Sequence, residues 1–216
     1  MLLRHRVRDL VLASWETDAE QVARTLPRGL EPASVDGRHL VTIAALRWDG
    51  GRLGPAPVPR FSQLNVRVYA KHGGEVAVVF LALRVTLLGM GAALLGFPVR
   101  LARARVREGQ VEAPGFGVSL RYERSGPAPP SELGEHELGL VEAAGLRAFR
   151  VRRGEASWEG AEAVGGFHAE PLLALGFALE GRPEIRYAAT ASFEVELPPR
   201  RVGPTEAARE PPPFVR

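Results

Sequence analysis

Residues 61–85 constrain the fold more than any other stretch. From Phe61 to Ala70 the sequence alternates: Gln63, Asn65, Arg67 and Tyr69 fall on one side, and Leu64, Val66, Val68 and Ala70 on the other. That period of two is the signature of a strand with two different faces. His72-Gly73-Gly74 then turns the chain, and residues 76–85 are almost continuously apolar, as in a strand covered on both faces. The pair predicts a hairpin with one polar row embedded in a hydrophobic core.

The rest of the chain predicts more strands than helices. Alternation begins near the start (Val7, Leu10, Leu12), and further strands are expected at residues 39–48, 147–152, 155–158, 164–168 and 185–197. Residues 101–111 and 117–124 predict a second hairpin. Residues 50–59 and 125–130, rich in glycine and proline, read as loops. Thr17-Asp18-Ala19-Glu20 reads as a capping box with Thr17 as the cap, opening a short helix that Pro27 and Gly29 end. Thr86 caps a predicted helix over residues 87–95, stopped by Gly96. Helix is also expected at residues 135–144, with one turn at 171–175. Many short strands in 216 residues indicate a mainly β (α+β), single-domain, antiparallel barrel-like fold with a few short helices. A barrel of this size encloses a small cavity. The domain is expected over residues 1–200, followed by a proline-rich tail at 201–216.

Composition removes several functions. The chain has no cysteine, which excludes disulfides and thiolate metal sites. Its five histidines are scattered and no His-Glu-x-x-His stretch occurs, so no metal is expected. Phosphate-binding glycine loops and dinucleotide fingerprints are also missing, so no cofactor is expected. The high isoelectric point, about 9.9, reflects arginine usage, because the net charge is only +3. Arg103, Arg105 and Arg107 alternate without interleaved aromatics, which fits a solvated face better than a nucleic-acid stripe. Apolar runs are too short to span a bilayer and no leader-like segment opens the chain, so a cytoplasmic protein without membrane contact is expected. Scarce amides (Asn65 is the one asparagine) and abundant proline suggest a heat-adapted source.

The polar row at Gln63, Asn65, Arg67 and Tyr69 has two readings. Facing solvent, it is ordinary surface. Facing a barrel interior, it is desolvated and needs partners, and Arg67 offers a planar fork suited to a carboxylate.

A resemblance bears on that choice. Phe61-Ser62-Gln63-Leu64-Asn65-Val66-Arg67-Val68-Tyr69 resembles the Phe-x-Glu-Leu-Asn-x-Arg-x-Tyr signature of the bacterial YqjF-like proteins, a family of the acetoacetate decarboxylase-like superfamily. Trp15, Leu26-Pro27-x-Gly29-Leu30, Asp36-Gly37 and residues 41–46 follow in order. Gly96-Phe97-Pro98-Val99-Arg100-Leu101-Ala102 is similar to the superfamily's Gly-Phe-Pro-Lys-Lys-x-Ala, and His168-Ala169-Glu170-Pro171 to a late histidine-bearing strand. The resemblance spans about residues 7–200 and implies a barrel-like fold whose central pocket receives the polar row.

The departures limit the chemistry. In the decarboxylases the first lysine of that motif forms the Schiff base. Here the matching residues are Val99 and Arg100, and neither forms an imine. The family's active-site glutamate corresponds to Gln63, which is no acid or base. Lys71, the single lysine, falls at a predicted hairpin tip, the wrong place for a desolvated amine.

The candidate ligand-binding residues are therefore Gln63, Asn65, Arg67, Tyr69, Arg100 and His168, with no catalytic residue assigned. The leading expectation is a barrel for an anionic or carbonyl-bearing small molecule. The alternative is a lyase, hydratase or isomerase in which arginine stabilises an enolate and Tyr69 or His168 moves the proton. A nucleic-acid module ranks last. A homo-oligomer stays open.

Overall fold

The hairpin read from residues 61–85 is the centre of the computed structural model, which describes residues 1–202. In chain order the strands are β1 (Leu2–Thr17), β2 (Glu31–Pro32), β3 (His39–Leu53), β4 (Ala56–Val58), β5 (Phe61–His72), β6 (Glu75–Val85), β7 (Val99–Leu101) and β8 (Arg105–Arg107). There follow β9 (Gln110–Ala113), β10 (Val118–Pro127), β11 (Leu138–Glu142), β12 (Leu146–Ala156), β13 (Glu159–Ala163), β14 (His168–Ala169), β15 (Glu184–Glu196) and β16 (Arg200–Arg201). Helices are few among the described residues: α1 (Ala19–Thr25), α2 (Glu170–Ala174) and two 3-10 segments, Leu87–Leu95 and Pro114–Phe116.

The strands β12, β11, β6, β5, β3, β1 and β15 lie side by side in that order, and β15 pairs back onto β12 from Val151↔Val195 to Ala156↔Ala191. These pairings close a ring. Every neighbouring pair in it is antiparallel except β6–β11, which is parallel. The other end of β15 (Ile185 to Tyr187) leaves the ring and pairs with β13, which leads through β10 and β9 to β8. The protein thus has two apolar cores. One fills the ring. The other lies between its outer face (Leu64, Val66, Val68) and the second sheet (Val111, Leu120, Ile185).

One bulge sets which side chains of β1 enter the ring. Leu3, His5 and Val7 point inward on odd positions, whereas Leu10 and Leu12 do so on even ones. Asp9 between them has a φ of 52°, and the β1–β3 register shifts between Arg8 and Val11. The extra residue reverses the alternation. The Asp9 carboxylate holds the bulge by accepting from the Tyr187 hydroxyl (3.2 Å) and pairing with Arg47 (3.0 Å).

Several predicted elements differ in the structure. Where residues 135–144 predict a helix, Leu138–Glu142 form strand β11, because Leu138 to Val141 are buried on both faces between β6 and β12. Residues 50–59 are no open loop. β3 runs on to Leu53 and folds back as β4, an edge strand that tolerates its proline. Residues 101–111 are broken among the end of β7, β8 and the start of β9, of which β9 pairs with β10, and residues 164–168 are mostly a loop before β14. The cap of α1 is Asp18, whose carboxylate accepts from the Gln21 amide (2.7 Å). Thr17 instead donates to the Gln21 side chain. Residues 87–95 wind as a 3-10 helix ended by Gly96 in the left-handed region. Arg200 and Arg201 pair with β12, the Val202 amide donates to the Leu146 carbonyl, and residues 203–216 of the expected tail lie outside the described residues.

A ligand cavity inside the strand ring

The ring encloses a cavity of about 420 Å³. Its wall is mostly apolar. Phe80, Phe97 and Phe149 cluster on one side, with ring centres 5.0 and 5.6 Å apart in successive pairs. Opposite them, His5 stacks on Trp48 at 3.8 Å, and Trp48 on Phe61 at 4.6 Å. The cavity opens where its lining becomes exposed, at Ala56 and Pro57 of β4 and at Leu88 and Leu94 of the 3-10 helix. That helix is seated by Gly89. A Cβ there would stand 2.6 Å from the Phe61 ring and 2.8 Å from Val85.

Gln63, Asn65 and Arg67 come into this cavity in a row, because alternate residues of β5 face inward. Successive members lie about 7 Å apart along the strand, so the row descends from the mouth to the interior. Gln63 accepts from the Trp48 indole at 3.0 Å. Asn65 is buried, and its Oδ1 has no partner. Arg67 has no carboxylate in ion-pair range among the described residues, and its Nε and Nη2 are buried without hydrogen bonds. Tyr69 continues the row beyond the cavity. Its ring lies 6.0 Å from the Arg67 guanidinium, and its hydroxyl meets Thr42 at 3.4 Å.

Arg100 and His168 are not brought to this row. β7 pairs with β6 in register Leu83↔Val99 and Arg84↔Arg100, so Val99 shares the cavity face with Leu83 while Arg100 stands exposed on the other, beside the half-buried Arg84. His168 is exposed on β14, across β10 in the second sheet. Lys71 is exposed near the end of the β5–β6 hairpin.

Three cavity residues escaped the sequence reading: His5, His136 and Trp158. His136 lies edge-on to Tyr69 at 5.4 Å, and its Nε2 is buried without a partner, as are His5 Nδ1 and Trp158 Nε1. Burial, reinforced by the Arg67 charge, holds the His136 pKa below the ordinary imidazole value. No local pattern marks these residues, and only closure of the ring brings them to β5. Buried polar groups are normally paired, and leaving one bare costs about 1–3 kcal/mol. The inner end of the cavity therefore collects unsatisfied groups, with one formal positive charge at Arg67. Among the described residues no His, Asp and Glu side chains gather as a metal site requires.

Comparison with known sequences and structures adds the family. The sequence pattern of DUF2071, described as an uncharacterized conserved protein, matches residues 4–160. The chain belongs to the DUF2071 family. No curated protein matches it. Among solved structures, the chain resembles the acetoacetate decarboxylase of Legionella pneumophila subsp. pneumophila str. Philadelphia 1, at TM-score 0.65 and 12% identity, covering 94% of this chain and 88% of that one. An acetoacetate decarboxylase-like enzyme from Sphingomonas wittichii RW1 gives 0.62 and 14%, covering 93% and 92%. The enduracididine biosynthesis enzyme MppR, complexed with pyruvate, gives 0.58 and 14%, covering 90% of each chain. At these identities the likeness establishes the fold: this DUF2071 member has the acetoacetate decarboxylase-like architecture.

Proposed function

We propose that the barrel binds a small anionic or carbonyl-bearing molecule at Arg67, without Schiff-base chemistry. One observation carries this reading: the half-buried Arg67 lines the cavity with two buried nitrogen atoms unpartnered and, among the described residues, no carboxylate beside it. A ligand carboxylate would accept both N–H bonds in the fork geometry that arginine favours. Asn65 and Gln63, on the same face of β5, would orient the rest of the molecule. Val99 supports the absence of an imine, since it occupies the cavity wall where the resemblance aligns a lysine. MppR holds pyruvate in the same fold, so keto acids belong in the first ligand set. A ligand at a hundred times its Kd stabilises by about 2.7 kcal/mol, which raises the melting midpoint of a domain this size by about 5–10 °C. Thermal-shift screening of organic acids is expected to give such hits, and Arg67→Ala to abolish them. Hits that persist unchanged in Arg67→Ala overturn the assignment.

His136 supports a catalytic form of the same reading. A neutral imidazole with an open nitrogen, beside the arginine that would hold an enolate, has the properties of a general base. Turnover of a keto-acid panel, lost in His136→Gln while acid binding persists, is the expected outcome. Binding with no turnover of any member assigns the cavity to binding alone.

A further inference from the structure

We infer that the ligand is an amphiphile: a monocarboxylate with an extended apolar tail, its head at Arg67 and its tail directed to the mouth. This rests on the anion site proposed above and adds what lies beyond the head. The unpartnered polar atoms are concentrated at one end, with His5 Nδ1, stacked beside Trp48 in the aromatic wall, the exception. Asn65, Arg67, His136 and Trp158 carry the unpartnered groups, whereas Gln63, nearer the mouth, is already engaged by Trp48.

Past Gln63 the walls offer a carboxylate head no cation, and the unpartnered polar atom there is Nδ1 of the stacked His5. Phe80, Phe97 and Phe149 face the cavity from one side and Trp48 and Phe61 from the other, with Leu83 and Val99 between. Desolvating this surface favours alkyl or aryl groups and gives a second charge no partner. The mouth is apolar too. Leu88 is 62% exposed and Leu94 91% exposed, both lining the opening, so a tail reaching that level still meets hydrocarbon.

The length follows from β5. Arg67 and Gln63 are four residues apart, about 13 Å along a strand. An extended chain gains about 1.2 Å per bond, so about ten bonds span that distance. A three-carbon keto acid would satisfy Arg67 and leave most of the 420 Å³ unfilled. Aliphatic acids of increasing length fill it progressively.

The test is calorimetric titration of the full-length protein with acetate, butanoate, hexanoate, octanoate and decanoate below their aggregation limits, with pyruvate and 1-octanol as controls. Affinity is expected to tighten about fourfold per methylene through octanoate and to level off only near decanoate, whose chain comes closest to the ten-bond span. Octanoate should exceed octanol, and Arg67→Gln should remove that difference, since an uncharged amide at this position costs the fold little and the tail site remains. Val99→Phe, which narrows the tail channel, should move the plateau to a shorter acid. A flat series with pyruvate binding as tightly as octanoate overturns the amphiphile and leaves the anion site standing. Octanol matching octanoate, with Arg67→Gln without effect, overturns the anion site. No binding by any member overturns both.

Discussion

Replacing Val99 by lysine is expected to give the cavity an amine that traps keto acids. Incubated with acetoacetate and borohydride, Val99→Lys should gain a reduced adduct at residue 99, near-stoichiometric by intact mass, whereas the unsubstituted chain gains none. The register explains why this position and not its neighbour. β7 aligns Val99 with Leu83 on the cavity face, so a lysine introduced there enters an apolar chamber. Burial disfavours the ammonium form. The charges of Arg84 and Arg100 flank the position, and Arg84 is already held below the usual arginine value by burial and by Arg100. Both effects lower an amine's pKa from about 10.4 toward neutrality. The free amine then attacks the ketone carbonyl. Water leaves as the imine forms, and hydride from borohydride reduces the carbon–nitrogen double bond to a secondary amine. Labelling should be half-maximal well below pH 10. Lys71 stays outside because it is exposed beyond the cavity. An adduct mapped to Lys71 in the unsubstituted protein would overturn the claim that this barrel lacks imine chemistry. A folded Val99→Lys protein that traps nothing would overturn the placement of residue 99.

The same register shows where sequence reasoning succeeds and where it stops. β5 was legible because one of its faces meets the second sheet and the other the cavity, so its alternation survives. β6, covered on both sides, appears as an apolar run. β11 has the same burial, yet the Glu, Leu and Ala residues of 135–144 have helical preferences, and a strand buried on both faces leaves no alternation to contradict them. Only its insertion between β6 and β12 decides the matter. The Asp9 bulge, which switches β1 from odd to even, carries no local signal of its own. The candidate site divides in the same way. Gln63, Asn65 and Arg67 share one strand face, so spacing alone could group them. His5, His136 and Trp158 come from β1, the segment before β11 and the turn before β13, and long-range pairing unites them. Arg100 falls on the outer face because alternation in β7 sends its neighbour Val99 inward. His168 belongs to a second sheet that the sequence did not distinguish from the ring.

His5 makes the stability of the barrel acid-sensitive, and His5→Phe is expected to remove much of that sensitivity. Its imidazole is buried against Trp48 at 3.8 Å and Phe193 at 5.4 Å, with Nδ1 unpartnered. Burial lowers its pKa from 6.5 to about 3. Between those values the unfolded chain binds a proton that the folded chain refuses, so acid favours unfolding. The contribution is fully present above pH 6.5 and is lost progressively as the pH falls toward 3. At pH 4.5 the loss from this one group is about 2–3 kcal/mol. His136, also lowered by burial, adds in the same direction, and the carboxylates Asp36 and Asp49, held below their usual values, lose their contributions at still lower pH. Subtracting the variant isolates His5, because those other groups remain in both proteins. Phenylalanine preserves the ring stack and cannot take a proton. Denaturant unfolding at pH 7.5 and 4.5 should therefore show a drop about 2–3 kcal/mol smaller in His5→Phe than in the unsubstituted protein. Equal drops in the two proteins would mean that His5 accepts its proton without unfolding, and that the aromatic wall of the cavity is wetter than its packing implies.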